Sequence, residues 1–332
     1  MSTTAESLAR IDTTFKGRAT STEWPTVAIG VVILGLYVAV TLSHRSLPAV
    51  VVVAALGAIS GWWSSFQHEL VHGHPFPSER ANEILGGFAM SLWIPFGVFK
   101  SLHLRHHRGA ALTDPFDDPE SFYYGQDRWR RANPLVRSVM WCNRTFAGRM
   151  IVGPPIALAA FFGSETKRLR SGDRVARRDW SRHGVWVAIT AGWAFGVAGV
   201  PVWQYILGAV WIGTSVILIR SFAEHLWQPD PDARTAFVDG FFPFGLLFLF
   251  NNMHHAHHAR PTVPWYQIPR LAKQLGSRAA AHSSAGYYRG YRDLIRLYGA
   301  RPFCVPVHPA TPDGAALLSA RPRSASGSVS PS

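Results

Sequence analysis

Four stretches of the chain are apolar all round, with no polar face of helical or strand period. Residues 26–42 and 47–66 are separated only by SHRS, and residues 184–200 and 202–219 turn about Gly199-Val200-Pro201. Each is close to the roughly 20 residues a helix needs to cross a ~30 Å hydrocarbon core. Linkers this short make each pair a helical hairpin. Three further apolar runs are shorter and carry proline: 84–99 with Pro95, 150–162 with Pro154-Pro155, and 241–250 with Pro243. Proline removes a helical hydrogen bond, so these are expected to lie in the interface or dip and return. The expected fold is an all-α membrane protein of four transmembrane helices in two hairpins, with interfacial or re-entrant helices and a histidine-rich cytoplasmic cap. Its divisions are a cytoplasmic N-terminal segment (1–24), a membrane domain (25–270), a cytoplasmic extension (271–308) and a tail (309–332). The tail is rich in Ala, Ser and Pro without apolar period, and is expected to be disordered.

Composition sharpens this picture. The 332 residues are 48% apolar and only 16% charged, against about 25% charged in a soluble globular protein. The net charge of +13 is carried mainly by arginine and is unevenly placed. Residues 165–183 hold seven Lys/Arg, and from Arg260 onward ten Lys/Arg face two acids. The positive-inside rule puts both segments in the cytoplasm, which accounts for the basicity without nucleic acid. Two cysteines, Cys142 and Cys304, with no CxxC pair exclude a disulfide framework and an iron–sulfur site. The first apolar run starts late and lacks an A-x-A site, so no cleavable signal peptide is expected.

Fifteen histidines stand out, most of them in three clusters. QHELVHGH contains His68 and His72, one helical turn apart; SLHLRHHRG contains His103, His106 and His107; NNMHHAHHARP contains His254, His257 and His258. In a helix, positions i, i+3 and i+4 share a face, so each HxxHH can present three imidazoles together. His225, in RSFAEHLW, follows the fourth apolar stretch. His68-Glu69-x-x-His72 alone is a zinc-peptidase motif, with Glu69 as general base. That reading uses two histidines and leaves seven aside. Nine imidazoles exceed the four ligands of an ordinary zinc site and suit two sites of four and five.

The boxes HELVH, HLRHH and HHAHH, in that order on a four-helix membrane plan, resemble the integral-membrane fatty acid desaturase/hydroxylase family of short bacterial type. TDPFDDPESFY, RSFAEH and NNMHHAHHARPTVPWYQIP extend the resemblance, which covers about residues 25–270. It implies an O2-dependent, non-heme di-iron oxidoreductase, with two iron ions held by His68, His72, His103, His106, His107, His225, His254, His257 and His258. Groups that would hold the ligand rings from outside are Glu69, Asp114, Asp117, Asp118, Glu224, Asn251 and Asn252, with His74 nearby. Where stearoyl-type members have asparagine, Ser221 stands here, so a water-mediated ligand is not expected. The resemblance implies fatty acid desaturation first. Hydroxylation, carotenoid ketolation or desaturation of an amino-acid-derived compound such as dihydrorhizobitoxine are its alternatives. No GxGxxG fingerprint, cysteine cluster or fused heme motif supplies electrons. A separate donor such as a ferredoxin is expected, with a lipid-like substrate in the membrane. The expected location is the bacterial inner membrane, with active site and termini cytoplasmic. The boxes can meet only if 84–99, 150–162 and 241–250 all return to the side they leave.

Overall fold

The computed structural model describes residues 15, 17–108, 111–240 and 242–320; most of the expected N-terminal segment and the last twelve residues of the tail lie outside them. Helices α1 (Trp24–Ser43) and α2 (Ala49–Val71) form the first hairpin, joined by a single tight turn. Short helices α3 (Glu79–Gly86) and α4 (Phe96–His106) follow, then α5 (Gln126–Arg131) and α6 (Pro134–Cys142). Next come α7 (Phe146–Arg170) and α8 (Arg174–Ala191), which continues as a π-helical segment over Gly192–Val197. Helix α9 (Val202–Arg220) also contains a π-helical stretch.

Helices α2 and α9 touch along small residues. A Cβ at Gly57 would stand 2.4 Å from Ile212, and one at Gly61 2.4 Å from Val216. Ser60 Oγ donates to the Ala209 carbonyl at 2.7 Å. Lipid provides no hydrophobic drive between helices, so close backbone approach and such hydrogen bonds must supply the attraction.

The run 84–99 dips and returns, as its length and proline required. Between α3 and α4 the chain carries buried Ala89 and Met90 in among the long helices. Tyr205 donates to the Met90 carbonyl at 2.8 Å, Trp63 Nε1 to Phe88 at 2.9 Å and Gln67 Nε2 to Gly86 at 2.6 Å. Non-helical backbone survives at this depth because protein side chains replace water at its carbonyls.

The run 150–162 behaves differently from expectation. It lies inside a continuous 25-residue helix that passes straight through Pro154 and Pro155. Pro154 cannot donate to the Met150 carbonyl, and Ser215 of α9 donates to it instead at 2.7 Å. By length and apolarity the four candidate spans are Trp24–Ser46, Ala49–Val71, Phe146–Arg170 and Val202–Arg220, so α7 qualifies and α8, whose first half is charged, does not. Contacts distinguish the two. Helix α7 begins where Phe146 meets Phe222, just past the end of α9, with ring centroids 5.4 Å apart. It ends beside the start of α8, where Trp180 Nε1 donates to Glu165 at 3.0 Å. Farther along α8, Trp193 Nε1 reaches Thr41 at the far end of α1, 3.1 Å away. With Asp179 of α8 packed on Gly97 of α4, both ends of α7 lie toward the histidine-bearing elements, and α8 with its π-helical continuation runs from there to the far end of α1.

The remaining chain caps the histidine end: α10 (Phe244–Leu247), α11 (His254–Ala259), α12 (Ile268–Gln274), α13 (Ser277–His282), α14 (Tyr291–Tyr298) and α15 (Pro312–Ser319). One departure from an all-helical fold is a parallel pair of two-residue strands, Phe237–Val238 with Tyr287–Tyr288. The tail is ordered as far as α15, where Thr311 caps the helix and Asp313 pairs with Arg130 at 2.8 Å. Disorder from residue 309 was the expectation; a capped turn and an ion pair hold residues 309–320 in place.

Candidate metal centre

Four elements bring the histidines together. His68 ends the last turns of α2 and His72 caps it; His103 and His106 lie on α4 with His107 at its cap; His254, His257 and His258 lie on α11. His225 sits in a turn after α9, held by an antiparallel bridge to Thr235. The side chains sort into two groups, His68, His72, His103, His107 and His257 in one and His106, His225, His254 and His258 in the other. Within each group the ligand atoms lie within 4.8 Å of one another. Only His107 and His258 are partly exposed; the other seven are buried.

The spacing of the nitrogens is informative. His72 and His257 Nε2 lie 3.0 Å from the Nε2 of His103 and His107 respectively, and His103 and His107 are 3.1 Å apart. In the second group His225 Nε2 lies 3.1 Å from His106 Nε2 and 2.9 Å from His254 Nε2. Two nitrogens about 2.1 Å from one ion are about 3.0 Å apart at a right angle and about 3.4 Å apart at a tetrahedral one. The observed edges match the right angle, which leaves coordination positions open.

The far side of several rings is held by acceptors, which places the proton on Nδ1 and turns the Nε2 lone pair inward. His103 Nδ1 donates to Glu120 and His106 Nδ1 to Asp118, both at 2.7 Å. His225 Nδ1 lies 3.3 Å from the Arg234 carbonyl. His254 Nδ1 lies 3.1 Å from Asn251 Oδ1 and 3.4 Å from Glu224. Lone pairs facing one another at 3 Å repel unless a cation lies between them. Burial, reinforced by neighbouring rings, pulls His107 down to about 2 and His225 down to about 3. Burial likewise holds His254, His257 and His258 well below the usual imidazole range. Burial also lowers His106, but Glu120 and Asp118 outweigh it and push the ring up to about 9. The two carboxylates thus call for positive charge at the centre. Donor set, spacing and charge all fit metal ions.

The other expected residues fall in different places. Asn251 touches both groups, since its Nδ2 lies 3.3 Å from His68 Nε2. Glu69 Oε1 stands 3.5 Å from His68 Nδ1, while its Oε2 accepts from the Trp265 backbone at 3.0 Å. Glu224 lies between His254 and Arg220, the latter at 3.3 Å. Asn252 donates to the Val238 and Gly240 carbonyls, bracing the strand pair instead of a ring. Asp114 accepts from the backbones of Phe116 and Asp117 and serves the turn. His74 is clamped between Glu23 at 3.0 Å and the Thr262 carbonyl at 3.1 Å. His255 turns away to Ser277 Oγ at 2.9 Å. Sequence reasoning did not single out Glu120. Its signal was present, as a third acid in the DDPE run beside Asp118, but nothing in that spacing says which acid meets which ring.

Fold and site together define an integral membrane protein with two adjoining all-histidine clusters able to hold metal ions at one end of its bundle. Residues 44–291 match the fatty acid desaturase family, and the chain belongs to it, a family of di-iron enzymes. It is similar to a β-carotene ketolase of Paracoccus sp. strain PC1, 28% identical over 245 residues, which covers 70% of this chain and 81% of that one. It is also similar to a β-carotene ketolase of Paracoccus sp. strain N81106 / MBIC 01143, 26% identical over 216 residues, covering 61% and 70% respectively. The chain is an oxidoreductase of this membrane class, which uses a lipid-soluble substrate and an electron donor.

Proposed function

We propose that this chain binds two iron ions through the nine histidines, five on one ion and four on the other, and oxidises an unactivated methylene of a lipid-soluble substrate with dioxygen. The observation that carries this reading is the pair of nitrogen groups with right-angle spacing and open positions. When bound, the iron pair supplies dioxygen activation and hydrogen abstraction. The protein's part is to fix the rings: Asp118 orients His106, Glu120 orients His103, and Asn251 ties His68 to His254. The peptidase reading uses two of the nine histidines, and one oxygen of its base, Glu69, is already taken by the Trp265 backbone N–H.

Fatty acyl desaturation is the reading carried from the histidine boxes. One dioxygen, two external electrons and two protons, with the two hydrogens taken from the chain, leave a double bond and two waters. A second reading, ketolation of a carotenoid ring methylene in two successive oxidations, is favoured by the two relatives, whose length this chain covers at 81% and 70%. The electrons come from a separate carrier, a ferredoxin being the simplest, docking on the cytoplasmic side of the bacterial inner membrane. The division into a catalytic membrane domain (25–270) and an extension (271–308) is part of the same reading.

Expression in cells that make β-carotene tests both readings in one culture. Carotenoids and fatty acid methyl esters are analysed together by mass spectrometry, with His106→Ala as the blank. Keto-carotenoid assigns the second reading and a new unsaturated acyl chain the first. Neither product, from iron-loaded protein supplied with reduced ferredoxin, refutes both.

A further inference from the structure

The molecule has an apolar face that its own core does not use, away from the metal centre. Helix α6 turns Met140 inward, onto Trp129 and Val307 with Trp141 and Leu317 alongside. On the other side it presents Leu135, 74% exposed, Val136, 42% exposed, and the exposed Cys142. Positions 135, 139 and 142 are spaced i, i+4 and i+7, so Leu135, Val139 and Cys142 form one strip along the helix. In a soluble protein such a strip would seek a partner.

The surroundings identify the partner. Residues 126–142 carry four arginines (Arg128, Arg130, Arg131, Arg137) against one acid, Asp127. Arg137 is tied down, its guanidinium lying 4.8 Å from the Trp129 ring centroid, and Arg130 is paired with Asp313 at 2.8 Å. Arg128, stacked 5.0 Å from the Tyr124 centroid, and Arg131 are exposed. Three residues join α6 to α7, which carries its own exposed apolar side chains, Ile151 at 63% and Phe162 at 40%. The junction lies beside Phe222, two residues beyond the end of α9. The strip therefore lies next to the end of a helix long and apolar enough to cross a membrane, and beside the exposed apolar side chains of α7.

We propose that α5 and α6 form a membrane-surface foot. Leu135, Val139 and Cys142 sit in the boundary between acyl chains and headgroups, and Arg128 and Arg131 lie against anionic headgroups. An amphipathic helix with a basic flank binds such a surface by apolar burial and by attraction to anionic lipid. The foot holds the histidine end of the bundle against the leaflet from which a lipid-soluble substrate arrives. The proposal does not depend on which substrate that is.

The exposed Cys142 is a native probe position, because Cys304 is buried. An environment-sensitive fluorophore is attached there in the full-length, metal-loaded protein, reconstituted at one copy per nanodisc in phosphatidylcholine with or without phosphatidylglycerol. Metal content and Tm of labelled and unlabelled protein are compared to show that the label leaves the fold intact. The expected result is blue-shifted emission, quenched by lipids spin-labelled near the headgroup and shielded from aqueous iodide, with a further blue shift in phosphatidylglycerol. Leu135→Gln should red-shift the emission and admit iodide at unchanged Tm. Arg128→Gln with Arg131→Gln should abolish the phosphatidylglycerol effect and keep the phosphatidylcholine value. Iodide quenching without lipid quenching overturns the proposal. So does shielding that appears only with two copies per disc, or only after a protein electron donor is added. If the label lowers Tm, the same readings are taken from Leu135→Cys in a Cys142→Ser background, and the same outcomes decide.

Discussion

Asp118 and Glu120 sit two residues apart, yet each orients a ring of a different histidine group, and replacing them one at a time should loosen mainly one metal ion at a time. Asp118 is 6% exposed. Its Oδ1 accepts from His106 Nδ1 at 2.7 Å and from the Glu120 backbone at 2.9 Å, while Oδ2 accepts from the Thr113 backbone at 2.8 Å. Asparagine keeps the shape but offers one acceptor oxygen. Either the amide NH2 faces the Thr113 N–H, or it faces the donors of His106 and Glu120. An unmet buried donor costs about 1–3 kcal/mol. Loss of the outer partner of a ligating histidine lowers metal affinity about 10–100-fold, equivalent to about 1.4–2.7 kcal/mol. The two figures agree, so Asp118→Asn should weaken the ion held by His106, His225, His254 and His258 by that factor and spare the other. Glu120→Gln should act mainly on the other ion through His103, nearer tenfold, because the Glu120 side chain is 27% exposed and water can take over part of its role. Its second oxygen stands 4.0 Å from His106 Nε2, so a smaller loss at the ion of His106 accompanies it. The assay is a chelator titration of purified protein, reading iron retained per chain, with the spectrum of the remaining ion identifying its group. Both variants losing mainly the same ion, or neither losing any, would refute the assignment of one carboxylate to each group.

Other outcomes follow from the helices. Gly61→Val would place a side chain 2.4 Å from Val216 and should destabilise the α2–α9 contact by about 1–3 kcal/mol; Gly35→Ala, which meets nothing within 4 Å, should leave thermal unfolding in detergent unchanged. A cysteine at Ser171, in a Cys142- and Cys304-free background, should label from the same side as one at Ser78 and from the side opposite Ser46; labelling with Ser46 would mean that α7 crosses the membrane. His257→Ala should lose metal while His255→Ala, whose ring bonds Ser277, should keep it by elemental analysis. Metal-free protein should lose stability as pH falls below about 6.5, the unfolded imidazole value. His107 and His225 fold with lower values, about 2 and about 3, so the unfolded state binds more protons there. His106, raised to about 9, contributes the opposite sign, present below about 6.5 and lost as pH rises toward 9. Chemical denaturation of the metal-free protein across pH checks the balance, and flat stability in acid would contradict it.

The sequence by itself determined the membrane class and the three histidine clusters that could share an ion, for a physical reason that acts locally. Crossing lipid requires about 20 apolar residues, and sharing an ion on one helix face requires histidines at i, i+3 or i+4. Both demands are written in neighbouring positions, so both are legible without a fold. What the tertiary structure decided depends on contacts between distant segments. Residues 150–162 read as too short to span, yet they fold into the 25-residue helix α7, and only its contacts with Phe222 and Trp180 show what its two ends meet. Its two prolines read as a break until Ser215, more than sixty residues away, takes up the stranded carbonyl. The partition of nine histidines mixes the boxes: the HxxHH of α4 gives His103 and His107 to one group and His106 to the other. Among the acids near the boxes, only the folded turn shows that Asp118 and Glu120 meet rings while Asp114 meets backbone. A hydrogen bond is settled within an ångström, and composition places residues no more finely than a helical turn.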